Sequence, residues 1–191
     1  MEERIKYPRL DLGQIEAFMN KIGGMTGLGQ FLSGGLVVVA KAATNQLLEF
    51  IELVAVPTVK RFVSAEHFKH GEEVDGVKVS LGRHFQTRFG KKIEENVEGC
   101  DIRVHRLLRT SRDLGIRYEI GEDNEETFLA HLWHFLKLRG SRGGWFLFYI
   151  RDDEDVLWAV RADWSDTCWC VGARSVEDRC GWGADDCVCS R

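Results

Sequence analysis

Hydrophobic and polar positions are most regularly arranged near the C-terminus. Residues 145–150, Trp-Phe-Leu-Phe-Tyr-Ile, form an unbroken apolar run. The acidic turn Asp152, Asp153, Glu154, Asp155 separates it from a second run at 157–164, and Ser165, Asp166 and Thr167 separate that from a third at 168–176. Aromatic and β-branched runs parted by short polar turns predict antiparallel strands. Side chains alternate faces along a strand, so Trp169, Val171 and Ala173 fall on one side of the third run and Cys168, Cys170, Gly172 and Arg174 on the other. The first set suits a core. The second has no common size or polarity, which predicts solvent or a surface whose residues are free to differ. Cys187 and Cys189 repeat the alternation around Val188.

Upstream, the pattern predicts a helix over 124–138. Asp123 or Asn124 would cap it, Glu125 and Glu126 would sit in its first turn, and Gly140 would end it. Its apolar stripe is Phe128, Leu129, Leu132, Trp133 and Leu136. Residues 59–63 and 74–81 read as strands, and Phe85 and Phe89 suit a helical turn. Residues 44–56 fit either a helix or a buried strand, and 102–108 support no assignment. Near the N-terminus, Ile15, Phe18, Met19 and Ile22 follow helical spacing up to Gly23-Gly24, and a second short helix around Leu28, Phe31 and Leu32 ends at Gly34-Gly35. The glycines follow no strand, so they do not form a phosphate-binding loop.

The 191 residues suit one domain with a small appendage, and a net charge of −4 gives no basic footprint for nucleic acid. Charged residues interrupt the longest apolar stretch, so no membrane span is expected, and no N-terminal signal is visible. The default expectation is a cytoplasmic protein, with export not excluded.

Five of the six cysteines lie in the last 24 residues. A disulfide framework fits poorly without a secretory signal. Cys168-x-Cys170 and Cys187-x-Cys189 could supply four thiolates to zinc, although zinc knuckles usually place two or more residues between cysteines. The third reading puts the cysteines at exposed positions whose identity the fold does not dictate. No catalytic constellation emerges: His67, His70 and His84 lack a carboxylate or thiol at motif spacing. His131 and His134 could ligate a metal but suit the edge of a packed helix. The 152–155 cluster lacks the glycine and glutamate of a calcium loop and reads as a charged turn. No cofactor is expected.

The C-terminal pattern Phe148-Tyr149-Ile150-Arg151-Asp152, Leu157-Trp158-Ala159-Val160, Asp163-Trp164, Trp169-x-Val171-x-Ala173-x-Ser175-Val176, Trp182-x-Ala184 and Ser190-Arg191 resembles the variable (target) proteins of diversity-generating retroelements from candidate-phyla bacteria. The resemblance extends weakly over most of the chain. It implies an α+β fold: a C-type-lectin-like ligand-binding domain at 41–191 with a C-terminal antiparallel sheet, preceded by a helical module at 1–40. In such systems a reverse transcriptase copies a template repeat with errors at adenines, and the copy replaces the 3′ end of the gene. The variable region would span about 157–191. The ligand-binding positions implied are Asp163, Ser165, Asp166, Cys168, Cys170, Gly172, Arg174, Asp178, Cys180, Gly181, Gly183, Asp185, Asp186, Cys187 and Cys189. Each residue is reachable from a scattered AAC-type codon, although none is Asn or Tyr, which other members often carry. The function implied is non-enzymatic display of a diversified face to an unknown ligand, expected to be a protein. Two alternatives stand beside it: a zinc-binding regulatory or nucleic-acid-associated domain built on the cysteines, and an enzyme of the same fold using a cysteine.

Overall fold

The computed structural model describes residues 46–191 and, before them, Thr26 alone. The expected N-terminal helices and the 1–40 module lie outside the described residues. The chain divides between Asn45 and Gln46. Among the described residues no helix is long and apolar enough to cross a membrane.

Residues 46–191 form a mixed α and β unit dominated by one sheet. Its elements are β1 (Leu48–Val56), β2 (Val59–Val63), α1 (Ser64–His67), β3 (Glu73–Val74), β4 (Val77–Leu81), α2 (Arg83–Phe89), β5 (Ile93–Val97), β6 (Cys100–Leu107), α3 (Asp113–Ile120), α4 (Glu122–Glu125), β7 (Glu126–Thr127), α5 (Leu129–Arg139), β8 (Trp145–Arg151), β9 (Leu157–Ser165), β10 (Cys168–Ser175) and β11 (Cys187–Ser190). The large sheet runs β1-β6-β11-β8-β9-β10-β4-β3, with β7 paired to β8, while β2 and β5 form a separate ribbon.

The terminal strands form as their pattern predicts. β8 pairs with β9 and β9 with β10, both antiparallel. The sheet as a whole is mixed rather than antiparallel. β11 does not continue the hairpins. It crosses to the middle of the sheet, antiparallel to β6 and parallel to β8. Strands in that position are covered on both faces and need apolar residues on both. Phe146, Phe148 and Ile150 of β8 enter one core cluster, and Leu147 and Tyr149 the other. That double burial explains the unbroken run. β11 is covered the same way, with Cys189 in the first cluster and Val188 in the second.

Several expectations need correction. Residues 48–56 form neither a helix nor a buried strand but the sheet's edge, with Phe50, Ile51 and Leu53 exposed. Of the unassigned 102–108 stretch, residues 102–107 belong to β6 and Leu108 follows its end. The helix expected over 124–138 begins at Leu129; residues 122–125 form a separate turn of helix, and 126–127 bridge to β8. Neither Asp123 nor Asn124 caps α5, whose N-cap, Phe128, offers no side-chain acceptor. The cap comes from a distant strand: the buried Glu94 carboxylate accepts from the backbone N–H groups of Leu129 and Ala130, each at 2.9 Å. α5 is also buried on more than the expected stripe. Ala130, His131 and Phe135 join Leu129, Leu132, Trp133 and Leu136 in the interior, because the β2–β5 ribbon packs on the helix as well as the sheet. On the sheet side Phe135 meets Phe146 and Phe148 edge-on at 4.9 and 5.2 Å.

Candidate ligand-binding face

Register sorts the predicted positions. Cys168 lies opposite Ser165, Cys170 opposite Asp163, Gly172 opposite Arg161 and Arg174 opposite Ala159. Asp163 in turn lies opposite Trp145. Trp145, Arg161, Asp163, Cys168, Cys170, Gly172 and Arg174 therefore share one face of three adjacent strands. Each of them is at least partly open to solvent. Trp169 and Val171, between them in sequence, point the other way and are 1% exposed. Trp164 leans on Trp169 at 5.4 Å. Ala173, Trp158 and Trp164 are half-buried rather than fully enclosed.

The turns carry the next group. Asp166 sits in the β9–β10 turn with φ of 47°, and Asp185 in the 176–186 loop with φ of 74°, in the left-handed region that Asp tolerates better than most residues. Ser165, Asp166, Asp178, Cys180, Gly181, Gly183 and Asp185 are exposed, and Asp186 is half-buried. Some of these side chains shape the loop itself. Asp178 accepts from Cys180 N–H at 3.0 Å, and Asp186 accepts from Gly183 N–H at 2.7 Å. Backbone pairs from Ser111 to Trp182 and from Leu107 to Asp185 and Asp186 hold the loop to the sheet's end.

Cys187 and Cys189 depart from expectation. Their strand places them with Phe146, Ala162 and Val171, on the opposite side of the sheet from Cys168 and Cys170. Cys187 is half-buried and Cys189 fully buried, so Cys189 is a core residue, not a displayed one. Burial pushes both thiols up. The faces also separate the two Cys-x-Cys pairs, so the four thiolates cannot converge on one zinc ion. Among the described residues no three His, Cys, Asp or Glu side chains are grouped to hold a metal.

The floor of the face is tied down by a residue that the sequence did not single out. Asp113, at the start of α3, is fully buried. It accepts from the Tyr149 hydroxyl at 2.9 Å, the Trp182 indole at 2.7 Å and the Arg174 guanidinium at 3.3 Å. Burial pushes its carboxyl above the ordinary value, against the pull of these donors. The Arg174 guanidinium lies 3.7 Å above the Trp182 ring, and that of Arg161 lies 4.6 Å above Trp145. Arg161 Nε also lies 2.8 Å from Asp163 Oδ1. Strict alternation from Asp163 back through β9 would have located Arg161. No local pattern marks Asp113, because its partners come from three distant segments.

Several other titratable groups that the sequence singled out are held in structural contacts. Asp152 Oδ1 accepts from the N–H groups of Glu154 and Val156 and its Oδ2 from the Trp158 indole, which uses the carboxylate to close the β8–β9 turn rather than to bind calcium. His70 Nδ1 accepts from Leu81 N–H, His67 stacks on Phe62, and His131 Nε2 lies 2.9 Å from the Glu98 carbonyl. Cys100 Sγ lies 3.8 Å from His131 Nε2, the nearest approach to a thiol–imidazole dyad. Burial raises this thiol and lowers this imidazole, the reverse of what an activated thiolate paired with imidazolium requires. No protein-family model, curated protein or solved structure matches the chain.

Proposed function

We propose that this chain is a non-enzymatic ligand-binding protein of C-type-lectin-like fold, whose C-terminal face is diversified by a retroelement and whose ligand is a protein. One observation carries the reading. Asp163, Cys168, Cys170, Gly172 and Arg174 share an accessible sheet face, while the residues interleaved with them on β10, Trp169 and Val171, fill the core. A sheet with one packed and one open face lets the open positions change at small cost, since exposed substitutions are usually worth less than about 0.5 kcal/mol. The unrelated chemistry of these residues is what unconstrained replacement would leave. The deep burial of Cys189 limits the diversifiable set on β11 and argues that replacement there is filtered by packing.

The test is the DNA around the gene. A near-identical repeat of the segment encoding about residues 157–191, differing at adenines and lying beside a reverse transcriptase gene, is the expected finding. A locus with neither, together with close relatives that keep the same residues at Cys168, Cys170, Gly172 and Arg174, would sink the proposal.

A further inference from the structure

The face contains a cleft, and its chemistry points to one kind of contact. Ala159, Arg161, Gly172, Ala173, Arg174 and Trp182 line a cavity of about 240 Å³. Its opening follows from the register. Gly172 lies opposite Arg161, and Ala159 lies opposite Arg174, so two small residues and two arginines occupy alternate corners of one cross-strand square. A Cβ built at Gly172 would meet nothing within 4 Å. Diagonal neighbours on adjacent strands stand about 7–8 Å apart at Cα, and both arginines line the cavity.

Both guanidinia are braced on aromatic rings, Arg174 on Trp182 and Arg161 on Trp145. A stacked guanidinium is held in one plane and keeps its N–H edge for an in-plane acceptor. Each guanidinium has an internal carboxylate beside it, Asp163 by Arg161 and Asp113 by Arg174, but neither carboxylate lines the cavity. Asp163 lies beyond Arg161, toward Cys170, and Asp113 lies below Arg174 in the core. Arg161 Nε and Arg174 Nε are both enclosed and make no well-formed hydrogen bond among the described residues.

We infer that this cleft receives an acidic side chain, Asp or Glu, from an exposed segment of a protein ligand, its carboxylate held between Arg161 and Arg174 above Gly172. The inference rests on the display reading proposed above. Carboxylate–guanidinium pairs are the strong, directional kind of hydrogen bond, and two flanking guanidinia select a carboxylate over its neutral amide. Because Arg174 and Gly172 are themselves candidate variable positions, the preference belongs to this version of the face.

The test uses the full chain and short random peptides displayed on phage through their C-termini, so that only side chains can supply a carboxylate. Selected peptides are sorted by whether Gly172→Trp, which fills the cleft, blocks them. Those that it blocks are expected to be rich in Asp or Glu. Changing the key acid to its amide should weaken binding at least about tenfold. Arg161→Gln, remote from the Asp113 anchor, and Arg174→Gln should each produce a similar loss that does not add to the acid-to-amide change. Cleft-dependent peptides indifferent to the acid and to both arginines would overturn the carboxylate assignment and leave the display reading standing. A selection yielding only peptides that Gly172→Trp does not affect would overturn the cleft as a binding site. Failure to select any peptide that competes for this face would count against both.

Discussion

Asp113 and the cysteines show how differently single residues bear on this fold. Burial raises the Asp113 carboxyl above its ordinary 3.8. A carboxyl raised by folding holds its proton more tightly in the native than in the unfolded chain. Its stabilising contribution is therefore complete below 3.8 and is lost as the pH rises through the folded value. Denaturant titrations across pH should show wild type losing stability relative to Asp113→Asn as pH rises over that window. A difference that is flat or grows with pH would refute the assignment. The cysteines divide by face. Cys170→Asn should change stability by less than about 0.5 kcal/mol, as at accessible sites. Cys189→Asn should cost about 1–3 kcal/mol, because it leaves a buried amide without partners. Trp169→Ala should cost about 3–5 kcal/mol through the cavity that it opens. Thermal melts of the three variants rank them directly, and the reverse order would mean that the faces are exchanged, since a slip of one residue swaps every side chain.

At the scale of elements, α5 is the clearest case of a helix whose start is set from outside. Local signals at 123–126 suggested a cap, yet those residues serve other ends: Glu125 pairs with Arg117 at 2.8 Å, and Glu126 with Arg151 at 2.9 Å. Glu94, on β5, supplies both acceptors to the first turn, with Lys92 nearby at 3.9 Å. Glu94→Ala should cost about 1–3 kcal/mol, because it orphans two buried N–H groups. Glu94→Gln, which keeps one acceptor oxygen, should cost less. Equal stability of all three proteins would show that water or the backbone caps the helix instead. The β8–β9 hairpin behaves oppositely. Its turn is closed within a few residues by Asp152, and it forms where the acidic cluster predicts it.

For the whole molecule, the position of β11 decides the chemistry of the chain's end. It carries Cys187 and Cys189 to one side of the sheet while β10 carries Cys168 and Cys170 on the other. No zinc ion should bridge the pairs. A zinc content of one per chain, lost on changing either pair to serine, is the outcome incompatible with this sheet. Much of the architecture was legible beforehand. Strands β8, β9 and β10, the inward Trp169 and Val171, the β2 and β4 strands and the α2 turn follow from alternation, helical spacing and turn residues. These are properties of neighbours in the chain, where steric preference and side-chain direction act at short range. The edge position of β1, the insertion of β11 between β6 and β8, the burial of Cys189, the trans cap from Glu94 and the Asp113 anchor were not legible. Each depends on which distant segment lies alongside, and local period carries no record of that. The alternation therefore determined which residues of β10 face together. Only the tertiary structure decided that Arg161 and Arg174 flank an open cleft, because that cleft is made by register between strands and by rings brought from outside both of them.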